Sequence, residues 1–341
     1  TPYLTASPGD IWIRFGWTSA FPTNETLPAW ITYGWQIDDV TLRTLSDNDI
    51  ELSGLYYGSA GIFYRQIPVA QIAPIDFAIE AFNAGGTTQT GVTFTANETG
   101  GTAYTSSSTP ATIVSLDTTT LVAGPFTPPG IGSYSFTFAY AVDSIDDVPS
   151  NNDISAENYN FAVGQYIYAR DNGTAVGSYN FGGTDPFELG NVFDIFAPAD
   201  LQAINVRLAS ASAVGIEIYG RLYDTNLEFV DETEPYTVVA GDPGTELVLP
   251  FSIPVSLSGP DGVNPYTSYV VVVGSFEAGL AISTGGTSAP NTTFVLDILD
   301  NETWYYTTST PQVRMNFEQP TISVGENVNG GLSVTAYPNP T

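Results

Sequence analysis

The 341-residue sequence has no cysteine, no histidine and no lysine, and each absence removes a class of chemistry. Without cysteine there is no disulfide, no thiolate nucleophile and no Cys-ligated zinc, and the redox compartment is left unmarked. Without histidine or lysine there is no Ser-His-Asp triad, no HExxH zinc site, no Schiff-base chemistry and no P-loop lysine. Carboxylate catalysis of the glycosidase or aspartic-protease kind is what remains, and neither Asp-Thr-Gly nor Asp-Ser-Gly occurs. The sequence reading therefore expects no enzyme and no organic cofactor.

Positive charge is also scarce. Seven arginines stand against 36 Asp plus Glu, a net charge of −29, and charged residues make up 13% of the chain. A typical globular domain has about 25%. The imbalance thus comes from missing bases rather than surplus acids. Such a surface repels phosphate backbones and anionic lipid, so nucleic acid is not an expected partner, whereas divalent cations are suited to it. The longest apolar run, "YVVVVG" at 269–274, is far short of the ~20 residues a bilayer requires, so no membrane span is expected and the run reads as a buried strand. The opening "TPYLTASPGD" lacks the basic start and apolar centre of a signal peptide. The chain is accordingly expected to be processed or part of a longer one.

What is present is β composition. Aromatics reach 13%, with 33 Gly, 24 Pro and recurrent Thr, Ser and Val. Apolar residues alternate with period two: Ile11, Ile13, Phe15 and Trp17; Tyr134, Phe136, Phe138, Tyr140 and Val142; Ile204, Val206 and Leu208; Ile216 and Ile218; Val313, Met315 and Phe317. Each set reads as a strand with one wet face. Turn clusters such as "SDND" (46–49), "PSNND" (149–153), "DNGT" (171–174) and "GDPG" (241–244) separate them. The expected class is all-β, in tandem antiparallel β-sandwich domains. Their expected bounds are 1–55, the C-terminal part of a jelly roll; 56–163, an immunoglobulin-like sandwich; and 164–320, a jelly-roll-like sandwich. A linker over 321–341 follows, so the folded core is expected to end near Gln319.

Four stretches carry resemblances. "GLSVTAYPNPT" (331–341) resembles the first strand of the C-terminal sorting domain of the bacterial type IX secretion system, with Tyr337, Pro338, Asn339 and Pro340 as the sorting signal. That likeness implies the secretion machinery as a partner and an extracellular location, secreted or anchored at the bacterial cell surface. "YGWQIDDVTL" (33–42) resembles the closing strand of MAM-like jelly rolls, which puts Asp38 and Asp39 where strand meets turn. "IEAFNAGGTTQTGVTFTA" (79–96) and "GIGSYSFTFAYAVDSIDDVPSNNDI" (130–154) together resemble bacterial adhesion-type immunoglobulin-like domains, with Asn83 to Gly85 as the Asn-x-Gly turn. The third unit resembles β-sandwich modules that precede such sorting domains.

Three candidate sites follow. Asp143, Asp146, Asp147 and Asp153, with Asn151 and Asn152, supply the hard oxygens structural calcium takes in sixes to eights, as do Asp38 and Asp39; the other reading is acidic turns that bond backbone amides. Trp304, Tyr305 and Tyr306 stand together as either a carbohydrate-stacking platform or cross-strand packing. Thr118 and Ser144 lie in Asp-Thr-Thr and Asp-Ser-Ile, which resemble the three-residue O-glycosylation motif of bacteria with this secretion route. The expected function is a non-enzymatic secreted or cell-surface protein, an adhesin or a subunit of an extracellular assembly or filament that contacts other surface proteins or copies of itself. The alternative is the non-catalytic C-terminal accessory region of a secreted peptidase or glycoside hydrolase.

Overall fold

The computed structural model describes residues 45–57, 64–154, 157–289, 291–300 and 303–319. The chain divides into two units, Thr1–Thr44 and Leu45–Thr341, and every described residue belongs to the second. Asp38, Asp39 and the Tyr337 to Pro340 signal lie outside the described residues.

Nine strands build the first sandwich: β1 (Ile50–Tyr57), β2 (Gln66–Pro68), β3 (Ile75–Asn83), β4 (Gln89–Glu98), β5 (Thr105–Ser107), β6 (Ala111–Ile113), β7 (Thr118–Phe126), β8 (Gly132–Ala141) and β9 (Asn158–Gly164). One sheet runs β1-β3-β7 and the other β2-β9-β8-β4-β5, with β6 beside β4. All pairings are antiparallel except β2 with β9. The alternation in "SYSFTFAYA" turns Tyr134, Phe136 and Phe138 inward, where Phe136 meets Phe77 of the facing sheet at 4.6 Å between ring centres. Each such fully buried ring contributes about 1.5–3 kcal/mol. Asn83 is itself buried. Its amide donates to the Thr87 and Ile113 carbonyls while its oxygen accepts from Gly85 N–H. Gly85 must be glycine, because a Cβ there would sit 2.7 Å from Asp49 N and 2.8 Å from Asp47 O.

Strand β1 corrects the first expected boundary. The expected bound at 55 puts residues 50–55 in the N-terminal unit, yet Ile50 pairs with Asn83 and Tyr56 with Ala78, so β1 is an edge strand of the first sandwich. A short strand carries no sign of which neighbour it will join. The loop 143–153 also holds it there, since Asp146 Oδ2 accepts from Ile50 N–H at 2.9 Å and Leu52 N–H donates to Asn151 O.

The second sandwich contains β10 (Ile167–Tyr168), β11 (Gly177–Tyr179), β12 (Phe187–Ile195), β13 (Ala199–Arg207), β14 (Glu217–Tyr223), β15 (Phe229–Glu232), β16 (Tyr236–Thr237), β17 (Glu246–Leu257), β18 (Thr267–Ser275), β19 (Ile282–Thr287), β20 (Thr293–Asp297), β21 (Thr303–Tyr306), β22 (Ser309–Pro311) and β23 (Val313–Asn316). The large sheet is ordered β15-β14-β18-β12-β20-β21, with β16 on β14; it faces β10-β23-β13-β17 and the small sheet β11-β19-β22. Ile204, Val206, Val313 and Met315 fill the space between them. The expected all-β architecture of antiparallel sandwiches is thus the observed one, and no α-helix occurs among the described residues.

The two sandwiches are joined through buried polar contacts as well as through the chain. Gln71 donates to Ala197 O and accepts from the Phe196 and Ala197 amides, and Tyr64 Oη accepts from Asp194 N–H at 2.8 Å.

Candidate functional site

The strand "TSYVVVVGS" is buried on both faces. One face belongs to the inter-sheet core. The other requires a second cover, and the register shows what provides it. Residues directly opposite in neighbouring strands share a face. Tyr219 pairs with Gly274, Gly274 with Glu188, Glu188 with Leu296 and Leu296 with Trp304, so these five form one row across the outward face. Arg221, Val272, Gly190, Phe294 and Tyr306 form the next, and Tyr223, Val270 and Val192 a third. Their apolar members make a small cluster separate from the main core.

This face is concave. Strands β14 and β21 are four spacings apart, about 19 Å in a flat sheet, yet the rings of Tyr223 and Trp304 meet at 5.1 Å. The sheet therefore curls and the two side chains lean across it. Opposite them the hairpin joining β14 to β15 folds in as a wall. Asp224 Oδ1 accepts from the Asn226 and Glu228 amides and holds Leu227 at φ 63°, a left-handed conformation that a branched side chain adopts only under constraint. The result is a recess of about 480 Å³ lined by Arg221, Tyr223, Leu227, Phe229, Leu296 and Trp304, with the carboxylates of Glu228 and Glu232 at its side.

A buried charge lies beneath it. Glu188 is fully shielded from solvent; its Oε1 accepts from Arg221 Nη1 at 2.6 Å and Tyr219 Oη at 3.0 Å, and its Oε2 from Tyr223 Oη at 2.7 Å. Burial pushes its carboxyl pKa upward, against the stabilising bonds from Tyr223, Arg221 and Tyr219. Gly274 makes the space, for a Cβ there would come within 2.6 Å of Glu188 Cγ. Arg221 is held from every side. Its Nε donates to Glu232 at 3.0 Å, and its guanidinium lies 4.4 Å from the Tyr219 ring centre, 5.2 Å from Phe276 and 5.8 Å from Phe229. Burial works against its charge, but Glu188 and Glu232 outweigh that and raise its pKa. Phe229 in the lining, and Phe276 and Tyr306 elsewhere on the face, remain more than half exposed.

Of the aromatic trio singled out in the sequence, Trp304 and Tyr306 fall on this face. Tyr305 is turned to the opposite one, opposite Val295, where its hydroxyl donates to Asp300. Glu188, Tyr219, Arg221, Tyr223 and Phe229 were not singled out. The available signal was "YGRLY", where the outward positions of a strand hold Tyr-Arg-Tyr instead of Ser or Thr.

The acidic loop is occupied differently. Asp143 accepts from the Thr90 hydroxyl, Asp146 from the Ile50 and Val148 amides and Asn152 Nδ2, and Asp147 from the Asn48 amide. Asp153 lies exposed at its far end. Asp146 and Asp147 thus hold the start of β1, and no group of three or more His, Cys, Asp or Glu suited to a metal ion occurs among the described residues. Thr118 is exposed at the first position of β7 and Ser144 half-buried after β8.

No family model and no curated protein matches this sequence. Among solved structures, one described as the structural basis for the promiscuous specificity of the carbohydrate-binding modules from the β-sandwich superfamily is similar over 76% of this chain and 99% of that one, at 12% identity and a TM-score of 0.20.

Proposed function

We propose that this protein is a non-enzymatic β-sandwich protein of the cell exterior, secreted or held at the bacterial surface, that acts as an adhesin or as a subunit of an extracellular assembly. Its concave face is the contact face, and the ligand taken there is carbohydrate. The observation that carries this reading is the aromatic recess over Glu188 and Arg221. Apolar and aromatic side chains on the outward face of a sheet are surplus to the inter-sheet core, and here they line a hollow instead of a flat surface. A hollow with aromatic walls and a few fixed polar groups is the usual make-up of a small-ligand site. Pyranose rings present flat C–H faces that suit such walls. The extracellular setting is supported by the resemblance of residues 331–341.

The test is a panel of immobilised glycans probed with the wild-type chain and with Trp304→Ala and Phe229→Ala, each checked for unchanged circular dichroism. Binding to at least one glycan, weakened about tenfold in either variant, is expected. Retention undiminished in both variants would remove the recess from consideration.

A further inference from the structure

Building on the carbohydrate reading, we infer that the recess selects uncharged glycans and rejects uronic or sulfated ones. Arg221 is the one cation among the described residues lining it, and its charge is already used. Nη1 is on Glu188 and Nε on Glu232, while Tyr219, Phe276 and Phe229 pack around the guanidinium. An incoming carboxylate or sulfate would find only the remaining donors of a guanidinium whose charge two bonded carboxylates already balance, and would have to sit beside both. Glu228, exposed at the wall, adds a third negative group.

The charge count holds whichever way Glu188 is protonated. With Glu188 ionised, one positive group faces three negative ones; with Glu188 neutral, one faces two. Neither state gives a site for anions, and a chain with a net charge of −29 adds a repelling field outside it. A neutral sugar meets no such conflict. Its hydroxyls can donate to Glu228 and Glu232, and its ring faces can lie against Trp304 and Phe229. Tyr306, two residues along β21 on the same face and 69% exposed, extends the platform.

The experiment uses the whole chain in affinity electrophoresis and calorimetry against soluble galactomannan and xyloglucan, polygalacturonate and chitosan oligomers, at low and high salt. The variants are Trp304→Ala and Tyr306→Ala, the second at a side chain too exposed to threaten folding. Neutral glycans are expected to bind at least about tenfold more tightly than polygalacturonate, with little change in salt, and to weaken in both variants. Tighter, salt-sensitive binding of polygalacturonate than of the neutral glycans would overturn the selectivity and leave the carbohydrate reading standing. A folded wild-type chain that binds none of the four would bring down the carbohydrate reading and this inference with it, whereas variants that bind as it does would remove the recess and this inference.

Discussion

Replacing Glu188 with glutamine keeps the shape of the side chain and removes its charge, and the consequences follow from three distances. The carboxylate accepts from Arg221 at 2.6 Å, Tyr223 at 2.7 Å and Tyr219 at 3.0 Å. An amide has one acceptor oxygen. If that oxygen faces Arg221 and Tyr219, the NH2 faces Tyr223, whose hydroxyl must turn to accept and loses its own acceptor. Breaking a buried pair by removing one partner costs about 3–5 kcal/mol. Arg221 keeps Glu232 and a side chain 20% exposed, and glutamine keeps one bond to it, so a loss of about 2–3 kcal/mol is expected. Arg221→Met leaves Glu188 without its cation and should cost about 3 kcal/mol. The double replacement Glu188→Met, Arg221→Met should cost less than the two singles added, because an apolar pair of similar volume removes both desolvated charges together. Gly274→Ala tests the same geometry without touching charge, at about 1–3 kcal/mol for overpacking against Glu188 Cγ. Hydrogen exchange read by mass spectrometry on peptides covering 217–223 and 267–275 measures the local opening free energy, undisturbed by transitions elsewhere in a chain of several units. If Glu188→Gln leaves protection in those peptides unchanged within about 0.5 kcal/mol, the pair does not hold the concave face and the reasoning fails.

Other expectations can be checked with ordinary biophysics. Mild acidification from neutral pH should stabilise the chain: burial raises the Asp194 carboxyl pKa in the folded state, so the native form binds more protons than the unfolded one and stability rises as pH falls through that folded value. Below the ordinary carboxylate range the trend should reverse, since Asp224 and Asp261 have pKa values lowered by the amides of Glu228 and Asn264, and their contribution is lost on protonation; a thermal-melting series without a maximum on the acid side of neutrality would refute this. Asp146→Ala strips the acceptor from the Ile50 and Val148 amides and from Asn152, and should cost about 2 kcal/mol with exchange accelerated first at β1. Because the carboxylates of that loop are already bonded, calcium should raise the melting temperature no more than magnesium at equal ionic strength, as calorimetry would show. Gln71→Ala leaves two amides and a carbonyl unpaired between the sandwiches, and should lower stability by about 2–4 kcal/mol and split a single calorimetric transition into two.

The strands were largely legible because alternation is a local property. "SYSFTFAYA" needs no partner to show which side is apolar, and it folded with Tyr134, Phe136 and Phe138 inward. Strand β1 shows where locality ends. "IELSGLYY" does not name its partner, and both its ladder with β3 and the hydrogen bond from Ile50 to Asp146, 96 residues away, arise only in the fold. The recess was half legible for the same reason. Trp304 and Tyr306 stood out as neighbours in the chain, whereas Glu188, Arg221 and Tyr223 meet only through sheet pairing, and Phe229 only through a hairpin wall. "YVVVVG" held the better clue. A strand apolar on both faces must be covered on both, and a two-layer sandwich covers one.

The nature of that second cover bears on what the face does. A layer of apolar side chains alone would have sealed the outward side of β18, and replacing a buried ion pair by packed hydrophobics is often neutral or stabilising. Instead, a chain with seven arginines places one of them here, over a carboxylate with no solvent contact, inside a ring of Tyr219, Phe276 and Phe229. Stability does not require this arrangement, and Gly274 is committed to making room for it. What it supplies is fixed polarity at the floor of a hollow: three donors aimed at Glu188, a guanidinium bonded to two carboxylates, and a wall carboxylate, Glu232, whose position it sets. Glu232 is held by the same Arg221 that Glu188 anchors, so a change at the floor reaches the wall through a single side chain. Loss of Glu188 should therefore loosen the orientation of Glu232 and Phe229 and weaken any ligand held between that wall and Trp304, even where the ligand never touches residue 188.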